Sequence, residues 1–142
     1  MFSESIIDRE TIQAYLETEY RVKGDAPMTL KIGIASPTLS ALHKAHGVES
    51  SAYITACNPF SQSFDDAVNV NRQAALASEL RFRSLAFIGG IGKHPSNRWE
   101  GESSFLVMGV SREAAKALGV QYEQNAIVWC GSDAVPELVL LR

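Results

Sequence analysis

The sequence predicts an α+β (or α/β) domain, a single mixed sheet of about five strands with three to four helices packed on it. Three observations lead there. The 142 residues are 46% hydrophobic and 20% charged, the balance of a globular chain long enough to bury its own core. Short apolar runs bounded by glycine, proline, asparagine or aspartate recur along the chain, as strands do. Longer segments that open on a capping residue and close near a glycine lie between them, as helices do.

Taken in order, residues from about Ser5 to Glu19 read as a helix with an irregular apolar face of Ile6, Ile7, Ile12, Tyr15 and Leu16. Tyr20–Val22 and Leu30–Ile34 flank the turn residues Gly24-Asp25-Ala26-Pro27 and form a hairpin. Ser36-Pro37 is a hydroxyl cap followed by proline in the first helical position, and this second helix runs to Gly47. A third strand, Ala52–Ala56, is stopped by Asn58-Pro59. The longest helix runs from Asp65 to Arg83, its two opening aspartates suited to the positive end of the helix. Leu85–Ile88 is a strand leading into a glycine-rich polar connection, residues 89–102, and Ser104–Val110 is the next strand. Ser111 caps a helix ending at Gly119, Asn125–Cys130 is a strand, and Leu138–Leu141 is an edge strand after Pro136. The whole chain, 1–142, reads as one domain.

Composition narrows the function classes. A net charge of -3 with scattered Lys and Arg argues against phosphate-neutralising nucleic-acid binding. No run is long enough to span a membrane, and the N-terminus lacks the basic-then-apolar pattern of a signal peptide. Cys57 and Cys130 each end an apolar run and read as buried thiols in a reducing, cytoplasmic setting. His43 and His46 have the spacing of half a metal site but no third ligand, and read as a solvated helix end; no metal is expected. The oligomeric state and any cofactor are unspecified.

Several residues stand out chemically. On the long helix, Val68, Ala75, Leu76, Leu80 and Phe82 define an apolar arc, with Arg72 and Glu79 projecting into it and Asn69 at its border. A guanidinium in that position needs a carboxylate or a ligand anion, so Arg72 is either a structural salt bridge or an anion anchor. Asn58-Pro59-Phe60-Ser61 follows a strand directly, where open sheets bind ligands, although Asn58 and Ser61 also suit a plain turn. The run Gly90-Ile91-Gly92-Lys93 lacks the glycine spacing and following hydroxyl of a phosphate loop, which leaves an irregular anion nest near Lys93 or a plain loop. Trp99 in that connection is a lid or a core-edge cover. Glu102 is a partner for Arg72 or a general base. Gln124 and Asn125 open a strand, and a core-facing amide there must be hydrogen-bonded.

Four blocks in this order resemble one family: Ile54-Thr55-Ala56-Cys57-Asn58-Pro59-x-Ser61; Asn69-x-x-Arg72; Gly90-x-Gly92-x-x-Pro95 with Trp99 and Glu102-x-Ser104; and Gln124-Asn125-Ala126-Ile127-Val128-Trp129. The family is domain of unknown function 3293. The resemblance implies a small single-domain cytoplasmic bacterial protein with no assigned activity, and groups Asn58, Asn69, Arg72, Trp99, Glu102 and Gln124 as pattern residues. Cys57, Ser103 and Glu123 stand where the family more often has a large aromatic, a proline and a glycine.

The functional expectation is a site for a small polar or anionic metabolite, phosphorylated or nucleotide-like. Arg72 anchors an anion, Asn58 and Gln124 orient it, and Ser61, Asn69, Lys93 and Asn125 contribute contacts. Trp99 is the lid, and Glu102 is the base if a reaction occurs. The alternative is a non-catalytic protein-interaction module in which Arg72 and Glu102 form a structural network.

Overall fold

The computed structural model describes residues 5–96 and 101–142. Its elements are α1 (Arg9–Glu17), β1 (Glu19–Val22), β2 (Met28–Leu30), α2 (Pro37–Ala45), β3 (Ser51–Ile54), α3 (Asp66–Phe82), β4 (Phe87–Lys93), β5 (Glu102–Met108), α4 (Arg112–Gln121), β6 (Ala126–Cys130) and β7 (Pro136–Leu140), with a 3₁₀ turn at Pro59–Ser61. Four of these are α-helices capped as their sequences require. Asp8, Ser36, Asp65 and Ser111 each accept a hydrogen bond from the backbone N–H three residues on.

The seven strands form one sheet in the order β2-β1-β4-β5-β3-β6-β7, and every pairing is antiparallel. The fold is therefore α+β, but the sheet has seven strands rather than about five, and it is not mixed. The reason lies in the crossovers. Helix α3 carries the chain from β3 to β4 and leaves a gap that antiparallel β5 fills. Helix α4 carries it from β5 to β6 and leaves a gap that β3 fills. Strands joined through a helix thus never become neighbours, and alternation of helix and strand does not yield parallel pairs. The unit β3-α3-β4-β5-α4-β6, with strand order β4-β5-β3-β6, is the ferredoxin-like split β-α-β arrangement. Hairpin β1–β2 extends it at one edge and β7 at the other; Pro136 opens β7 on that edge, where a missing N–H costs no ladder bond.

The two sheet faces are covered differently. On one, Ala52, Ile54, Val107 and Ile127 pack with Leu76 and Leu80 of α3 and Ala115 and Leu118 of α4. On the other, Tyr20, Tyr53, Leu106 and Val128 pack with Leu39 of α2. Only Ile12 of α1 is buried.

Several boundaries differ from expectation. The glycine-rich stretch is not a loop from residue 89: Gly89–Lys93 belongs to β4, paired with β1 and β5. A Cβ on Gly90 would lie 2.1 Å from the Arg21 carbonyl oxygen and 2.9 Å from the Tyr53 hydroxyl, so this glycine permits close backbone approach. In α3 the buried face is Gln73, Leu76, Ala77 and Leu80, whereas Phe82 is 88% exposed at the helix end. His43 is buried rather than solvated, its Nε2 2.8 Å from Ser51 Oγ, and burial holds its pKa down.

Candidate functional site

Strand β3 ends at Ile54, and the chain beyond it must satisfy backbone groups that no neighbouring strand reaches. Side chains do so. The Ala56 N–H donates to Gln73 Oε1 (2.9 Å), and Thr55 Oγ1 donates to the Ser103 carbonyl (2.6 Å). The turn that follows is left-handed at three residues, Asn58, Phe60 and Ser61, with φ of 49°, 54° and 59°. Such backbone costs on the order of 1–3 kcal/mol per residue and persists only where surroundings over-determine it. Here Asn58 supplies that determination. Its N–H donates to Asn69 Oδ1 (2.8 Å), and its Oδ1 accepts from Asn69 Nδ2 (2.9 Å) and from the Phe64 N–H (3.0 Å). Its Nδ2 donates to Glu102 Oε2 (2.9 Å).

Arg72 fastens the same turn from the opposite side. Nε donates to the Ala56 carbonyl and Nη2 to the Tyr122 carbonyl, both at 2.6 Å, and Nη1 lies 3.3 Å from Glu123 Oε1. Gln124 Nε2 bonds the Cys57 and Tyr122 carbonyls at 3.1 and 3.0 Å. The end of β3 is thereby tied to the α4–β6 turn. The expected Arg72–Glu102 pair is not formed, because Arg72 reaches toward the α4–β6 turn while Glu102 turns to Asn58; among the described residues the carboxylate that meets the guanidinium is Glu123.

A cavity of about 420 Å³ lies between α1 and the sheet. Tyr20, Tyr53, Thr55, Ser104 and Glu102 line it from the sheet side, with Asn58, Ser61, Gln124 and Asn125, and Thr11 and Tyr15 of α1 and its C-cap Thr18 line it from the helix side. Glu102 is half-buried, and burial raises its pKa above the ordinary glutamate value, opposed by the Asn58 hydrogen bond. Asn58 is the carboxylate's one hydrogen-bond donor among the described residues. Burial likewise pushes the Tyr20 and Tyr53 phenols up; they donate to the Tyr15 and Arg21 carbonyls at 2.6 and 2.8 Å and stack edge to face. The charged side chains among the described lining residues are acidic. Asp8, Glu10 and Glu102 line it, His94 is bound to Glu17 at 2.9 Å, and no lysine or arginine is among the described lining residues.

Of the expected site residues, Asn58, Ser61, Glu102, Gln124 and Asn125 meet at this cavity. Arg72 lines neither this cavity nor the groove beside α3, and Asn69 faces that groove. Lys93 ends β4 opposite Glu19. Trp99 lies outside the described residues. Sequence reasoning missed Tyr15, Tyr20, Tyr53, Thr55 and His94, all of which line the cavity. It also missed Gln73, whose Nε2 is buried without a hydrogen-bond partner among the described residues. Cys57 is a buried thiol whose pKa burial raises, as its apolar context suggested.

This geometry frames the comparisons with known proteins. A family model described as a protein of unknown function (DUF3293) matches residues 54–127, just over half of the chain, and the chain belongs to that family. No curated protein and no solved structure matches it. The matched span runs from the last residue of β3 into β6, so it carries Asn58, Arg72, Glu102 and Gln124 but not α1. Among the described residues no helix is long and apolar enough to cross a membrane, and no cluster of His, Cys, Asp and Glu has the arrangement of a metal site.

Proposed function

We propose that the cavity beneath α1 binds a small polar molecule, with Glu102 as its central polar contact and Asn58, Ser61, Gln124 and Asn125 as orienting groups. One observation carries this reading: a half-buried carboxyl at the wall of a 420 Å³ cavity, bonded by a single donor among the described residues. A buried acceptor with spare capacity is what a ligand hydroxyl or ammonium satisfies. The acidic lining favours a neutral or positively charged ligand over the phosphorylated one expected from sequence, because a phosphate there meets like charge. Arg72 serves as a positioning residue, holding the Asn58 turn in its left-handed form. In the enzymatic version of this reading Glu102 exchanges a proton with the ligand, a role to which a carboxyl with a raised pKa is suited. Two buried free cysteines fit a reducing bacterial cytoplasm, and the 142 residues are read as one domain.

Thermal unfolding with matched probes tests it: ethanolamine against phosphoethanolamine, and ribose against ribose 5-phosphate. The unphosphorylated member of at least one pair raises the wild-type melting temperature, and Glu102→Gln loses most of that shift. Absence of any shift across both pairs, or an equal shift in the variant, sinks the reading. The ligand-free protein supplies a pH check on Glu102 itself. A carboxyl whose folded pKa is raised binds more protons folded than unfolded, so its contribution is fully present at low pH. It is lost as pH rises from the ordinary glutamate value through the folded one. Wild-type stability falls across that window, and Glu102→Gln flattens the fall.

A further inference from the structure

We infer that α1 is a hinged lid, held over the cavity by polar latches and able to open while the rest of the fold stays intact. The other three helices are anchored by apolar side chains: Leu39 of α2, Leu76 and Leu80 of α3, and Ala115 and Leu118 of α4 belong to the two apolar clusters. No residue of α1 belongs to either. Beneath α1 lies open space rather than packed side chains, and its one buried residue is Ile12.

What holds α1 is a set of hydrogen bonds near its C-terminal end, together with one just ahead of the helix, where Ser5 Oγ donates to the Arg142 carbonyl at 2.7 Å. The Tyr15 hydroxyl contacts Ser61 Oγ and accepts from Asn125 Nδ2 at 3.0 Å. The Tyr15 carbonyl accepts from the Tyr20 hydroxyl at 2.6 Å. Glu17 meets His94 at 2.9 Å. All four of these C-terminal partners, Tyr20, Ser61, His94 and Asn125, also line the cavity, so the latches and the site share residues. Each such bond contributes only on the order of 1 kcal/mol net, because water replaces it when the lid opens. Opening exposes less apolar surface than loss of α3 or α4 would: Ile12 alone in α1 is buried, and Ala14, Tyr15 and Leu16 are half-buried. The hinge falls at Thr18, extended at φ -64° and ψ 142° between α1 and β1. Helix α1 also lies outside the family's matched span, which places the gate on a segment separate from the residues it covers. The inference rests on the cavity and its cover, not on what fills the cavity, so it stands or falls separately from the proposed ligand.

The test needs no ligand. In a Cys57→Ala, Cys130→Ala background, Ser104→Cys places a thiol on the sheet side of the cavity, where Ser104 is 4% exposed. Its labelling by a methanethiosulfonate reagent reports opening. The expected rate is well below that of a free thiol, changes little at low urea, and rises on the order of thirty-fold in Tyr15→Phe, the factor that losing the hydroxyl's two bonds, to Ser61 and Asn125, produces at about 1 kcal/mol each. Labelling at the free-thiol rate shows that α1 does not close the cavity, and labelling with the urea dependence of global unfolding shows that it does not open alone; either result overturns the lid. Should the triple variant fail to fold, hydrogen exchange on the wild-type chain decides. Amides of 9–17 exchange through an opening with a smaller urea dependence than those of 112–121, and exchange of both segments together by global unfolding overturns the inference.

Discussion

The two faces of this sheet are built from the same seven strands, yet one is sealed and the other is half open. Beneath α3 and α4, Leu76, Leu80, Val107 and Leu118 are entirely excluded from water. On the opposite face, packing of that kind extends only under α2, and the area under α1 is occupied by Tyr20, Tyr53, Glu102, Ser104 and space. The difference follows from helix composition. Helices α3 and α4 present leucine and alanine to the sheet, while α1 presents threonine, alanine and tyrosine to the cavity. Stability is concentrated where side chains interlock, and the cavity lies where they do not.

The sharpest way to break that contrast is to cut equally into both faces. Leu80→Ala removes a fully buried side chain from the sealed face and should cost about 3–4 kcal/mol, through lost transfer energy and a cavity that cannot collapse. Ile12→Ala removes the one buried side chain of α1 and should cost about 1–2 kcal/mol, since Ile12 belongs to neither apolar cluster. Urea denaturation followed by far-UV circular dichroism gives both values. Equal costs mean that α1 is packed as firmly as α3, and the contrast fails.

How far the sequence discloses this arrangement depends on whether the cause is local. The caps of α2, α3 and α4 are local, and Ser36-Pro37, Asp65 and Ser111 are recognisable from residue type and spacing alone. Strand order and direction are not local. Seven apolar segments do not announce that each helical crossover skips a place in the sheet. Strand β4 shows the same limit, because three glycines in seven residues read as a loop until the Tyr53 hydroxyl is found crossing to the Arg21 carbonyl above them. A pair of substitutions in that strand separates the two meanings of glycine. Gly90→Ala drives a methyl group into the Arg21 carbonyl and the Tyr53 hydroxyl and should destabilise by about 2–3 kcal/mol. Gly89→Ala, with nothing within 4 Å of the new methyl, should be neutral to within about 1 kcal/mol. Matching losses would mean that strand entropy, and not the Tyr53 crossing, explains these glycines.

The site divides along the same line. Asn58, Glu102, Gln124 and Asn125 are legible because a polar side chain beside a strand end needs a reason, and the family resemblance groups three of them. Tyr15, Tyr53 and His94 come from three distant segments, and a tyrosine inside an apolar run reads as core until its hydroxyl is located. Arg72 is recognisable as a cation needing partners, but which carboxylate it meets depends on how the α4–β6 turn approaches, which no local pattern encodes.

That turn carries the smallest and most discriminating prediction. Glu123 occupies left-handed backbone at φ 59°, and among the described residues its carboxylate is the one that reaches Arg72. Glu123→Gly removes a backbone penalty of about 1–2 kcal/mol but adds chain entropy to the unfolded state worth about 0.4–1 kcal/mol. It also deletes an ion pair whose acidic partner is 51% exposed, worth about 0–1 kcal/mol. These contributions nearly cancel, so the net change should stay within about 1 kcal/mol, with the two 2.6 Å bonds from Arg72 to the Ala56 and Tyr122 carbonyls intact. A loss above about 2 kcal/mol, measured by urea denaturation, means that the carboxylate itself holds the guanidinium in place and that the sealed side of the turn depends on charge rather than on backbone carbonyls.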